Sequence, residues 1–166
     1  MVFASLHPAA FAVVLAVHVA TALVGFGGVA MTGIYGSWTR RVTNPEDLAD
    51  VRRYFSRRDW AGRSLVAVAP SGAVALWLDQ GPGALGHPWA VAATGCWVAA
   101  FGLAVRVIWP AERRVRSLFD TVGPVEPAVP GPGERDRLGR RLIWATGTCD
   151  VMFAVALVLM IFQPGG

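Results

Sequence analysis

HVATALVGFGGVAMTGIYG, residues 18–36, contains no Asp, Glu, Lys or Arg, and the apolar run continues upstream to Pro8. This run is longer than the roughly 20 residues that an α-helix needs to cross a bilayer. Polar side chains do not recur on one face of it, as they would in the surface helix of a water-soluble protein. The stretch therefore predicts a membrane-spanning helix.

The rest of the chain has the same character. Of its 166 residues, 54% are hydrophobic and 16% are charged, and the charged residues stand in blocks between apolar runs, which is typical of a membrane protein. We predict an all-α polytopic membrane protein, a single domain of four transmembrane helices in an antiparallel bundle. The predicted spans are about 8–36, 60–78, 88–109 and 138–162, and the predicted cytoplasmic connections are 37–59 and 110–137.

The basic residues indicate how the chain is oriented. All fifteen are arginines, and they cluster in segments 37–59 and 113–141, whereas the N-terminus, the turn at 79–87 and the C-terminus have none. The positive-inside rule then predicts a protein of the cytoplasmic membrane with both termini outside. The net charge of +4 does not indicate nucleic-acid binding, because the arginines flank apolar spans.

The first basic connection predicts a short helix. Asn44-Pro-Glu-Asp47 supplies an N-cap, a proline at the first helical position and acids in the first turn. Leu48, Val51 and Phe55 fall on one face of this helix. We expect it to lie on the anionic inner leaflet or against a partner, with four arginines at the membrane surface: Arg52, Arg53, Arg57 and Arg58.

The glycines of the first span allow two interpretations. Gly25 to Ala30 matches the GxGxxA form of a dinucleotide-binding fingerprint, which requires a preceding strand that this apolar helix lacks. Small residues at helical spacing instead predict a close-packed helix–helix face. The members of this predicted packing face are Gly25, Gly28, Thr32 and Gly36.

Two ionisable residues lie deep in predicted spans, His18 in the first and Asp150 in the fourth. Each needs a partner inside the bundle. Counted from the outer ends of their helices, the two have similar depths, which allows a His18–Asp150 hydrogen bond that fixes helix order. Met152 has the same depth as His18, so these two could instead be axial ligands of haem b. No catalytic constellation and no metal-ligand cluster is predicted.

The first and last spans also carry a resemblance. His18 is followed after eight residues by Gly27-Gly28 and later by the basic pair Arg40-Arg41, and the chain closes with the segment 150–164. This pattern resembles the CopD-like group of small bacterial membrane proteins, most closely an uncharacterised family of predicted integral membrane proteins. The resemblance implies the four-helix layout. Relatives in the group include copper-resistance proteins and a haem-containing protoporphyrinogen oxidase, which implies that His18 could be a ligand.

These observations favour a non-catalytic accessory subunit of a larger bacterial membrane complex, of a respiratory or electron-transferring kind. The expected partners are membrane lipids and other integral membrane subunits. The alternative is a haem b-binding or copper-linked redox or transport protein centred on His18.

Overall fold

The computed structural model describes residues 3–41, 45–56, 60–120 and 132–164, and within these ranges it contains no β-strand. A 3₁₀ turn, Pro82–Gly86, joins α4 to α5, and a π-helical turn, Ala104–Ile108, joins α5 to α6 without a break. The helices in chain order are α1 (Phe3–Arg41), α2 (Pro45–Ser56), α3 (Trp60–Arg63), α4 (Leu65–Gln80), α5 (Pro88–Leu103), α6 (Trp109–Asp120) and α7 (Pro132–Phe162).

Four helical segments are long and apolar enough to cross a membrane, which confirms the all-α membrane fold. They are α1, the segment that ends with α4, the continuous α5 and α6, and α7. The short helix predicted after Asn44 is α2. Of the predicted connection at 110–137, the structure describes residues 110–120 and 132–137, and both parts are helical.

At the arginine-rich end of the bundle, the helices extend beyond the predicted spans. Helix α1 continues to Arg41, α6 occupies 109–120, and α7 starts at Pro132, so much of the predicted connections is helical. Arg40 Nε donates to Asp136 Oδ1 at 2.7 Å, and Arg140 also contacts this carboxylate. The first ion pair joins α1 to α7 beyond the apolar spans, and the second lies within α7.

Helices α1 and α7 are antiparallel neighbours with a defined register. A Cβ placed on Gly36 would lie 2.9 Å from Leu142 Cβ, and one placed on Gly33 would clash with Thr146. Further along, the rings of Phe26 and Phe153 stack with centroids 4.2 Å apart. In this register, moving one residue toward the N-terminus of α1 therefore corresponds to moving one residue toward the C-terminus of α7.

On its other side, α1 packs against the start of the second span. A Cβ on Gly28 would lie 2.6 Å from the backbone nitrogen of Gly62, and one on Gly25 would lie 3.0 Å from that of Leu65. The two backbones touch because neither glycine has a side chain to separate them. Such close approach stabilises helix pairs in lipid through van der Waals contact.

The apolar face of α2 packs onto the bundle. Val51 is fully buried and Phe55 is 3% exposed, and both belong to the main hydrophobic cluster together with residues of α1, α4 and α6. Val51 and Phe55 are therefore covered by this chain, since α1 and α6 both contact α2, and not by the leaflet or by a partner. The placement of the α2 arginines at the membrane surface stays a prediction.

Candidate functional site

His18 faces α4. Its Nδ1 donates a hydrogen bond to the carbonyl oxygen of Val68 at 2.8 Å, and the Ser71 hydroxyl lies 3.4 Å from the same nitrogen. A Cβ on Gly72 would lie 2.8 Å from the Cε1 atom of the ring. The imidazole therefore lies directly on the backbone of α4, and it meets the need of a polar group in an apolar span for a partner.

The structure does not bring His18 and Asp150 together, which corrects the expected polar pair. The α1–α7 register places Val29 near Asp150, whereas its extension places His18 near Ile161. Because Val29 and His18 are about eleven residues apart on α1, Asp150 lies about 16 Å from the level of His18 along the helix axis. The prediction of similar depths assumes that the outer ends of the two helices are level, whereas the N-terminal end of α1 extends well past the C-terminal end of α7.

The same register separates His18 from Met152, which lies near the level of Gly27. A haem needs its two axial ligands on opposite sides of one iron atom. These two residues do not fit that requirement. Within the described residues, no group of three or more His, Cys, Asp or Glu side chains is placed to hold a metal ion.

The predicted packing face divides into two roles. Gly25, Gly28 and Gly36 lie in close contact with the neighbouring helices, as described above. Thr32 instead has a polar contact: it is fully buried and its hydroxyl donates to Glu112 Oε1 at 2.8 Å. The threonine joins α1 to α6 through a hydrogen bond rather than through its small size.

Glu112 is the centre of a buried polar network that the sequence interpretation missed. The Tyr54 hydroxyl lies 2.9 Å from Thr32 Oγ1, and it is the donor of this pair because Thr32 gives its own hydrogen to Glu112. The Tyr54 ring stacks on Tyr35, with centroids 3.9 Å apart. Arg116 Nε adds a hydrogen bond to the Phe55 carbonyl at 2.7 Å. The network joins α1, α2 and α6 at the basic end of the bundle.

A sequence signal for Glu112 existed. Ile108, Glu112 and Val115 are at i, i+4 and i+7, so the acid falls on the apolar face of its helix. All three are buried. The prediction of a connection at 110–137 hides this signal, because an acid in an exposed connection needs no partner.

Asp150 has a different environment. It is partly exposed on α7, and no hydrogen bond or ion pair joins its carboxylate to any described residue. The nearest donors on its own helix are engaged elsewhere: the Thr146 hydroxyl donates to the Leu142 carbonyl at 2.8 Å, and Cys149 Sγ donates to the Ala100 carbonyl at 3.5 Å. The carboxylate of Asp150 is therefore without a partner among the described residues.

The surface around Asp150 is apolar and open. Gly147 and Ala154 are one helical turn away on either side and are exposed, and a Cβ on Gly147 would meet no atom within 4 Å. Val151 and Val158 beside them are 63% and 52% exposed. We call the surface formed by Gly147, Asp150, Val151 and Ala154 the Asp150 face.

The arginines predicted at the membrane surface are only partly described. Arg52 and Arg53 are exposed on α2, opposite the residues that enter the core. Arg57 and Arg58 lie outside the described residues.

Comparison with known proteins gives one match. The model of a family described as predicted integral membrane protein (DUF2269) matches residues 12–164. No curated protein and no solved structure matches the chain. The finer CopD-like grouping stays a prediction.

Proposed function

This chain belongs to the DUF2269 family of predicted integral membrane proteins, and on that premise we propose that it is a non-catalytic accessory subunit of a larger bacterial membrane complex. The observation that carries the proposal is the Asp150 face, where a carboxylate in the middle of a membrane-crossing helix has no partner among the described residues. We further propose that the complex is respiratory or electron-transferring and lies in the cytoplasmic membrane, with both termini outside.

The cost of an exposed intramembrane acid supports a role in assembly. An Asp at the centre of a transmembrane helix costs about 2.5–3.5 kcal/mol on insertion scales, and such residues normally face a protein interior or a water-filled cavity. Asp150 is partly exposed, and exposed side chains beside it, such as Val151, are suited to lipid or to another helix. A second membrane protein bound to this face would bury Asp150 in a protein interface.

The other polar groups support the non-catalytic part of the proposal. His18 Nδ1 donates to the Val68 carbonyl at 2.8 Å, and Trp97 Nε1 donates to the Leu65 carbonyl at 2.8 Å. Each of these bonds joins two helices of the bundle. Groups that are used to hold helices together are not available to bind and transform a substrate.

The alternative, a cofactor protein centred on His18, has one supporting observation. Because the Val68 carbonyl can only accept, Nδ1 carries the hydrogen, and Nε2 of the neutral ring is the remaining acceptor. Ligating histidines commonly show this arrangement. However, Met152 is not at the level of His18, so the alternative would require a second ligand from outside the expected pair.

Purification from the native host in mild detergent tests the proposal. We expect another integral membrane protein to co-purify in a fixed ratio and to be lost on Gly147→Leu, because leucine would project from the Asp150 face. Gly95→Leu is the matched control, since a Cβ at Gly95 also meets nothing within 4 Å but projects from α5. A chain that purifies alone, or only with copies of itself, would contradict the proposal.

The visible spectrum of the same preparation separates the two functions. Any Soret absorption should be the same in wild type and in His18→Ala if His18 has only a structural role. Loss of that absorption on His18→Ala, with the fold intact, would favour the cofactor alternative.

A further inference from the structure

We propose that the partner on the Asp150 face is a transmembrane helix with a cationic side chain, Arg, Lys or His, near the middle of the bilayer. This inference rests on the proposed function and adds the chemistry of the partner. Its starting point is the level of Asp150 in the bundle: the register with α1 places it near Val29, well inside both apolar spans.

A neutral donor explains this site less well than a cation. Thr146 is one helical turn from Asp150 and carries a hydroxyl, yet this hydroxyl donates to its own helix, to Leu142. A carboxylate has about four acceptor positions, and charge-assisted hydrogen bonds are about twice as strong as neutral ones. In an apolar environment, where each unsatisfied position is costly, a cation with several N–H groups satisfies an aspartate best.

The parts of α1 and α7 nearest the level of Asp150 supply no such cation in a second copy, since segments 19–39 and 142–162 contain no Arg, Lys or His. His18 lies about eleven residues from this level and is bonded to Val68. Two copies that met through this face about an axis along the membrane normal would place Asp150 against Asp150, and like charges at short distance repel. The proposal therefore commits to a different protein as the occupant, and a crosslink between two copies of this chain would overturn it.

The shape of the face fits a close helix–helix contact. Aspartate has a short side chain, so a partner must approach α7 closely before its cation reaches the carboxylate. Gly147 and Ala154 allow this approach because they project little or nothing beyond the backbone. Intramembrane helix pairs use small residues and polar hydrogen bonds together in this way.

Photo-crosslinking in membranes of the native host tests the inference. The full chain carries a benzophenone side chain in place of Ala154, and the crosslinked segment of the captured protein is identified by mass spectrometry. We expect a transmembrane segment that contains Arg, Lys or His. Asp150→Asn should lower the crosslink yield about tenfold, because the amide keeps the size of the side chain but removes the charge.

Two further variants define the result. Asp150→Glu, which keeps the charge, should retain more of the crosslink than Asp150→Asn, and Thr148→Val, on the opposite side of α7, should leave it unchanged. A captured segment without a basic residue, or a yield that Asp150→Asn does not lower, would overturn the cationic partner and leave the accessory-subunit proposal standing. Complete absence of a protein adduct would contradict both.

Discussion

Glu112 on α6 and Asp150 on α7 have different environments. Glu112 is 9% exposed and accepts a hydrogen bond from Thr32 at 2.8 Å. Asp150 is partly exposed and has no partner among the described residues. The buried carboxylate is thus satisfied within this chain. The contrast is the basis of the proposal that Asp150 is satisfied by another protein, because a carboxylate within an apolar span needs a partner.

The glycines divide in the same way. A side chain at Gly28 would overlap the backbone of Gly62, whereas one at Gly27 or Gly147 would meet no atom within 4 Å. The inner glycines, such as Gly28, allow neighbouring helices to pack closely. The outer glycines, Gly27 and Gly147, have open space beside them. This division makes each inner position a test of the fold and each outer position a control.

The largest expected effect is at Gly28. Gly28→Leu should lower the free energy of unfolding by about 3 kcal/mol or more, because backbone atoms of α3 have to move to admit the side chain. Gly27→Leu, one residue away, should change it by less than about 0.5 kcal/mol. Thermal unfolding of both variants in detergent is the measurement, and similar stabilities would contradict the division into inner and outer glycines.

The next effect tests the buried acid. Glu112→Ala removes the acceptor of the Thr32 hydroxyl inside the protein and should cost about 1–3 kcal/mol in unfolding free energy. Glu134→Ala, which removes an exposed ion pair with Arg114, should cost about 0–1 kcal/mol. If denaturant unfolding finds the two substitutions equally mild, the Glu112 network is not a stabilising element.

A smaller effect concerns the histidine. Gly72→Ala adds a methyl group against the imidazole of His18 and should cost about 1 kcal/mol. His18→Ala should cost about 0.6–2 kcal/mol through the loss of an intramembrane hydrogen bond. In the double variant the added methyl group has space, so the two costs should not add. Additive costs in a double-mutant cycle would show that the ring does not lie on Gly72 in solution.

The apolar runs were sufficient to predict four spans, because a bilayer demands length and hydrophobicity from each helix separately. They were not sufficient to predict how the helices are offset. His18 and Asp150 were expected as a pair because their depths were counted from the helix ends, and the offset of α1 relative to α7 depends on contacts such as Gly36 with Leu142. No single helix contains that information.

The polar groups show a second limit of the sequence. Small-residue spacing predicts a packing face of Gly25, Gly28, Thr32 and Gly36, and the structure places the three glycines against neighbouring helices. The hydroxyl of Thr32 became meaningful only with Glu112, which is 80 residues further along the chain. A partner at that separation follows from the assembly of α1, α2 and α6 at this end of the bundle, not from either local sequence.

The unfolding free energy of the isolated chain with Asp150→Asn tests the central claim most directly. If Asp150 is satisfied only by another protein, the purified variant should be as stable as wild type within about 0.5 kcal/mol, or slightly more stable, because an unpaired charge has been removed. A loss of about 1 kcal/mol or more would mean that the carboxylate has a partner within this chain, and the distinction between Asp150 and Glu112 would fail.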